Sequence, residues 1–172
     1  MYLKDFLPNK SKKFKNVFFS GISFDSSKVK KNYIFFAIKG NKVDGNNFIN
    51  QAINNGAKIV FSEKKILQKN KKILFYRTNN VRKLLSQVSF KLSKIRPKNI
   101  VAVTGTNGKS SIADFYYQIL NFNSKKVASI GTNGVKYGNK VKPILNTTMD
   151  PINLGLILRD LKKKKINNLI LE

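Results

Sequence analysis

The sequence predicts an α/β protein built from two consecutive units. Three observations carry this. Short apolar stretches alternate with helix-period stretches along the whole chain. The alternation restarts after Pro97, which splits the chain into residues 1–97 and 98–172. No apolar run exceeds six residues, so neither a membrane span nor a secretory leader is expected.

In the first unit, Val17–Phe19 and Tyr33–Ile38 have strand composition, β-branched or aromatic and flanked by Gly, Asn and Lys. Asn47–Asn55 predicts a helix with Phe48, Ile49, Ala52 and Ile53 on one face and Gly56 as its stop. Lys58–Phe61 and Ile73–Tyr76 are again strands. Val81, Leu84, Leu85, Val88, Leu92 and Ile95 keep helical spacing, and Pro97 ends that helix.

In the second unit, Ile100–Thr104 predicts a buried strand followed by a glycine turn. A helix follows with Ile112, Phe115, Tyr116, Ile119 and Leu120 inward. Val127–Ile130 is a strand, and Gly138-Asn139 joins Val135–Tyr137 to Lys140–Lys142 as a hairpin. Asp150 followed by Pro151 is a helix start, with Leu154, Ile157, Leu158 and Leu161 on the apolar face. Leu169–Leu171 closes the sequence as a buried strand. A sheet with so few strands is thin for a nucleotide-binding domain, so this unit is expected to be incomplete.

Composition removes whole classes of chemistry. The 172 residues contain no cysteine and no histidine. That excludes a disulfide scaffold, thiolate or imidazole metal sites, a Cys nucleophile and the Ser-His-Asp triad. The net charge of +26 raises nucleic acid as a partner. However, 30 of the 34 basic residues are lysine and they are scattered from Lys4 to Lys165. Arginine is the better reader of bases and phosphates, so a compositional bias toward Lys, Asn, Ile and Phe is the simpler explanation. A basic nucleic-acid-binding module stays as the alternative outside enzymes.

The sharpest local signal is Ile100-Val-Ala-Val-Thr-Gly-Thr-Asn-Gly-Lys-Ser-Ser111. Strand, glycine turn and helix in that order are the context of a phosphate-binding loop. Gly105 and Gly108 let backbone N–H groups surround a polyphosphate, and the following helix points its positive end at the same anion. Lys109 can reach the β- and γ-phosphates, and the Ser110 hydroxyl suits Mg²⁺. The strict spacing would place glycine at position 103, where this chain has Val103, so an ordinary glycine turn is the competing reading. Asn146-Thr-Thr148 precedes a helix and is either a cap or an anion contact. Asp25-Ser-Ser27 and Gly40–Gly45 are turn signals.

Taken together and in this order, these segments resemble the Mur ligase family. Gly21-Ile-Ser-Phe-Asp-Ser-Ser-Lys-Val-Lys30 is similar to its DSR-x-V opening. Tyr33–Gly40 with Val43-Asp-Gly45 is similar to its G-D-L-F-V-A-L-x-G…D-G stretch, and Asn47–Phe61 to the helix and strand that follow. Val103–Ser111 resembles V-T-G-T-N-G-K-T-T; Ile130-Gly-Thr132, Asn146-Thr-Thr148 and Leu171-Glu172 fit later blocks. Lys28 stands where the family has Arg, and Ser110 and Ser111 replace threonines. The branch that adds the third amino acid of the peptide fits best; the branch that adds the terminal dipeptide is the alternative.

The resemblance implies an N-terminal domain binding a UDP-muramoyl peptide, at 1–97, and an incomplete P-loop ATP-binding domain with a parallel sheet, at 98–172. It implies a cytoplasmic, ATP-dependent amide-forming ligase of cell-wall precursor synthesis. Its partners would be UDP-N-acetylmuramoyl-L-alanyl-D-glutamate and a diamino acid (meso-diaminopimelate or lysine), with ATP and Mg²⁺ and no specific nucleic acid or membrane. A monomer is expected, and a chain of this length is expected to be a fragment inactive alone. Residue by residue, Gly105, Thr106, Asn107, Gly108, Lys109, Ser110 and Ser111 would bind ATP, with Lys109 catalytic. Ser110 and Glu172 would serve the metal. Phe24, Ser26, Asn41, Lys42 and Val43 would lie at the uridine diphosphate, and Asn146, Thr147 and Thr148 near the reacting end of the substrate.

Overall fold

The computed structural model describes residues 1–7, 17–41, 43–65, 72–144 and 149–172. The chain divides into two compact units, Met1–Lys91 and Leu92–Glu172.

The first unit holds a four-stranded sheet of β1 (Gly21–Ser23), β2 (Tyr33–Phe36), β3 (Ala57–Ser62) and β4 (Leu74–Arg77) in the order β1-β2-β3-β4. All its pairings are parallel. Helix α1 (Ile49–Asn54) joins β2 to β3, and α2 (Val81–Leu92) follows β4. A parallel sheet is covered on both faces, and the strand sequences show it. Phe35, Ala37, Ala57 and Val60 pack with Val29, Ile49 and Ala52 on one side. Ile34, Phe36, Ile59 and Phe61 alternate to the other side and are fully buried, with Phe36 and Phe61 stacked at 5.2 Å.

Three expectations change here. Val17–Phe19 is no sheet strand; it forms one isolated bridge, Phe18 to Tyr2, flanked by bonds from Leu3 N to Val17 O and from Phe19 N to Met1 O. The edge strand is instead Gly21–Ser23. Phe48 lies in a 3-10 turn before α1 and stays exposed, while Ile49 and Ala52 face inward. Helix α2 stops at Leu92, and Ile95 is exposed. In a helix continued to position 97 the proline ring would clash with the carbonyl four residues earlier, at Ser93, so its influence reaches back further than the preceding residue alone.

The second unit holds a five-stranded sheet in the order β5-β9-β6-β7-β8. The strands are β5 (Asn99–Ala102), β6 (Val127–Gly131), β7 (Gly134–Tyr137), β8 (Lys140–Lys142) and β9 (Asn168–Leu171); α3 (Lys109–Phe122) links β5 to β6 and α4 (Pro151–Lys163) leads to β9. β5, β9 and β6 run parallel, and β7 and β8 form the expected hairpin. Ala128, Ile130 and Leu169 pack against Leu158, Leu161 and Ile166. Asp150 caps α4 as expected, accepting from Ile152 N and Asn153 N.

Two burial expectations fail in this unit. β5 is an edge strand, and Asn99, Val101 and Ala102 are exposed. In α3 the buried residues are Ala113 and Tyr117, while Ile112, Phe115, Ile119 and Phe122 are exposed, the last at 90%. Tyr116 and Leu120 are half-buried. The helix has apolar residues over most of its girth, so its periodicity alone could not select the inward stripe. The structure selects the stripe whose Tyr117 hydroxyl reaches Gly138 O at 2.9 Å.

Candidate functional site

Parallel strands bring their C-terminal ends to one edge of a sheet, where ligands bind in α/β folds. In the second unit that edge carries three segments. Val103 N bonds Leu171 O at 2.7 Å, which carries the β5–β9 ladder up to the loop Gly105–Gly108. Glu172 N bonds Ile130 O at 2.8 Å, which carries the β9–β6 ladder to Gly131 and Thr132. The loop, Thr132 and Glu172 therefore converge although they lie far apart in sequence.

The loop turns on Gly108, whose φ of +75° is a left-handed conformation that costs other residues about 1 kcal/mol or more. It opens α3 without any side-chain cap. Thr106, Asn107, Ser110 and Ser111 are exposed and Lys109 half-buried. The Lys109 ammonium donates to Gly105 O at 2.7 Å and to Thr106 O at 3.2 Å, so it sits over its own loop. The Ser110 hydroxyl donates to Glu172 Oε1 at 2.5 Å. Glu172 also accepts from Thr132 N (3.3 Å, to Oε2) and from Thr132 Oγ1 (3.4 Å, to Oε1). The Ser110 hydroxyl holds the Glu172 carboxyl below the usual glutamate range; slight desolvation opposes this, and Thr132 and the Lys109 charge assist.

This is a set of hard donors next to a cationic loop. No group of three or more Asp, Glu, His or Cys side chains occurs among the described residues. One carboxylate and one hydroxyl fit a Mg²⁺ ion that takes its remaining ligands from phosphate and water; they do not form a self-sufficient metal cage.

In the first unit, β1 and β2 are parallel neighbours, so the loops after them leave the same edge. Phe24 and Ser26 lie on one, Asn41 and Val43 on the other. Phe24, Asn41 and Val43 are exposed. Ser26 is buried and donates its hydroxyl to Gln51 Oε1 at 2.7 Å, which ties its loop to α1. The second loop is closed by Gly40 N to Val43 O at 2.9 Å and by Asp44, which accepts from Asn46 N, Asn46 Nδ2 and Lys64 Nζ. The Lys64 ammonium, with the Asn46 donors, holds the Asp44 carboxyl far below the usual aspartate range. Lys42, Asn146, Thr147 and Thr148 lie outside the described residues.

The model of the Mur ligase family, catalytic domain, matches residues 19–90, and that of the Mur ligase middle domain matches residues 103–172. The two matches together span most of the chain. The chain belongs to the Mur ligase family. Among relatives of this Mur ligase chain, the UDP-N-acetylmuramoyl-L-alanyl-D-glutamate–2,6-diaminopimelate ligase of Rickettsia typhi is 38% identical over 168 residues, covering 95% of this chain and 34% of the relative. A solved structure of a ligase of the same name superposes with a TM-score of 0.81 at 26% identity, over 99% of this chain and 35% of that one. The MurF ligase of Thermotoga maritima, solved in complex with ADP, gives 0.55 at 25% identity, over 88% of this chain and 31% of that one. The chain thus spans about a third of the length of the Mur ligases it matches.

Sequence reasoning gave no role to Gly131 or Thr132, although both fall in a matched motif. The available signal was positional: a Gly-Thr pair at the end of a strand that neighbours the one ending in Glu172.

Proposed function

We propose that this chain supplies the UDP-substrate-binding and ATP-binding parts of a ligase that joins 2,6-diaminopimelate to UDP-N-acetylmuramoyl-L-alanyl-D-glutamate. The observation that carries the reading is the meeting of Lys109, Ser110 and Glu172 at the mouth of an uncapped glycine loop. The names of the relatives supply the substrate class. The better superposition on the diaminopimelate ligase than on MurF supports this branch over the one adding the terminal dipeptide.

In the proposed reaction, a carboxylate of the UDP-linked substrate attacks the γ-phosphate of ATP, giving an acyl phosphate and ADP. The amine of the incoming diamino acid then attacks the acyl carbon, forms the amide and releases phosphate. The nucleophiles belong to the substrates, which suits a chain with neither histidine nor cysteine. Backbone N–H groups from Gly105 to Ser111 cradle the phosphates, and Lys109 exchanges its two loop carbonyls for β- and γ-phosphate oxygens. Ser110 and Glu172 would hold Mg²⁺, which would supply charge neutralisation on the phosphates when bound. Phe24, on the loop anchored by Ser26, and Asn41, Lys42 and Val43, on the loop after β2, receive the uridine diphosphate; Asn146, Thr147 and Thr148 contact the muramoyl peptide. The first unit is the UDP-substrate domain and the second the ATP domain of a cytoplasmic ligase.

The test is calorimetric titration of the 172-residue chain with ADP and Mg²⁺, and separately with the UDP-linked dipeptide. Saturable 1:1 binding of each is expected. Absence of nucleotide binding overturns the reading of the loop.

A further inference from the structure

We infer that Gly131 and Thr132 are positioning residues for the Glu172 carboxylate, Gly131 by leaving open the space the side chain crosses and Thr132 by donating to both carboxylate oxygens. The inference rests on the nucleotide reading above and deepens it.

The argument begins with strand neighbours. β9 lies beside β6, and the bond from Glu172 N to Ile130 O sets the Glu172 backbone beside the end of β6. The Glu172 side chain passes Gly131, which is buried, on the way to Ser110 at the start of α3. A Cβ placed on Gly131 would stand 2.3 Å from Glu172 Oε2, 2.9 Å from its Cβ and 3.3 Å from its Cδ. All three of the nearest atoms belong to Glu172. The Gly131 backbone is not in the left-handed region, so alanine strains no dihedral there. The carboxylate can move aside, which takes it off Ser110, but the Glu172 Cβ at 2.9 Å is fixed to the backbone after β9, so the two strand ends must also part slightly.

Thr132 supplies the second restraint. Its amide reaches Oε2 and its hydroxyl Oε1, while Ser110 takes Oε1 from the opposite side. A glutamate has three side-chain torsions, and an exposed carboxylate left alone samples many directions. Donors from two different elements reduce that freedom to the one direction that faces the phosphate loop. Groups that orient a ligating carboxylate typically control 10–100-fold in metal affinity.

The experiment measures ADP affinity of the 172-residue chain by calorimetry, with and without Mg²⁺, alongside the thermal midpoint. The unmodified chain is expected to bind ADP more tightly with Mg²⁺. Gly131→Ala should lose about 10–100-fold of the Mg²⁺-dependent affinity. Its metal-free affinity should stay close to that of the unmodified chain, while its thermal midpoint should fall modestly, because the Glu172 Cβ cannot swing aside. Thr132→Val should lose a smaller factor of about 2–10 with Mg²⁺ only, and Thr132→Ser should restore it. Full retention of the Mg²⁺ enhancement in both Gly131→Ala and Thr132→Val overturns the inference. So does an equal loss with and without Mg²⁺, because that marks damage to the loop and not to carboxylate placement. ADP binding by the unmodified chain without any Mg²⁺ enhancement also overturns it while leaving the loop assignment standing. No ADP binding by the unmodified chain overturns the nucleotide reading itself, and the inference with it.

Discussion

Two loops of this protein occupy equivalent places and are filled in opposite ways. One follows β2 in the first unit, the other follows β5 in the second. Both leave the C-terminal end of a parallel strand and both contain two glycines, Gly40 and Gly45 in one, Gly105 and Gly108 in the other. In the first, Asp44 supplies an internal anion to Asn46 and Lys64. The second, Gly105–Gly108, carries no carboxylate of its own, the Glu172 carboxylate beside it being bonded by Ser110 and Thr132, and α3 starts on an uncapped glycine. The start of α4 repeats the first solution, with Asp150 on the N–H groups of Ile152 and Asn153. A helix or turn that carries its own anion is a finished structure. One that carries none, with a lysine folded onto its own carbonyls, is poised for an anion from outside.

The largest effect is expected where the loop is open. Lys109→Ala removes the side-chain cation placed over it, and a charge-assisted bond contributes about 2–3 kcal/mol, so ADP affinity should fall on the order of 100-fold. The thermal midpoint should barely move, because among the described residues the Lys109 ammonium donates to just two carbonyls, both of its own loop. Calorimetry on the variant checks this; unchanged affinity breaks the contrast between the loops.

The filled loop should respond in the other currency, stability. A Cβ on Gly45 would meet Ile38 N and Ile38 O at 2.7 Å and Ala37 C at 3.2 Å. These are backbone atoms and cannot swing aside. Gly45→Ala should cost about 1–3 kcal/mol of stability, read as a lowered urea midpoint. By contrast, a Cβ on Gly108 meets nothing within 4 Å, so the price there is set by its dihedral alone.

Much of this was legible in the sequence, for identifiable reasons. Asp150-Pro151 specifies a helix start by local chemistry alone, and so it was readable. The strands Tyr33–Phe36 and Ala57–Ser62 put apolar residues on both faces, as a strand covered on both sides needs. The phosphate loop was readable because strand, glycine and lysine are contiguous. What escaped was set by tertiary neighbours. The exposed stripe of α3 depends on which side of an apolar helix meets the sheet. The exposure of β5 depends on its place at the sheet edge, since its composition is that of a buried strand. Gly131 and Thr132 gain their meaning from Glu172, 40 residues away from Thr132 in sequence, through the insertion of β9 beside β6.

A smaller effect sharpens the parallel between Asp44 and Asp150. Asp150→Ala removes the acceptor of two N–H groups and should cost about 1 kcal/mol. Nucleotide affinity should be unaltered, because the Asp150 carboxylate bonds only α4's own first turn among the described residues. Thermal melts and ADP titrations on one preparation check both halves. A fall in affinity with unchanged stability would show that the start of α4, too, is a ligand-facing end.

The smallest effect is a change of slope. Asp44 titrates in the folded protein far below its unfolded value of about 3.9. Below that value the unfolded chain binds a proton that the folded chain refuses, so stability rises with pH there. The contribution of Asp44 is therefore complete at neutral pH and is lost as acid approaches its folded pKa. Asp44→Asn should flatten the decline in urea midpoint below about pH 4. It should not abolish the decline, because Asp25, Asp114, Asp160 and Glu172 are also held low. At neutral pH the loss should be slight: Lys64 is mostly exposed, and an asparagine oxygen can still accept from Asn46 N. Parallel acid limbs in the two proteins would mean that the carboxylate is not the anion filling this loop, and the contrast with the loop at Gly105–Gly108 would lose its electrostatic basis.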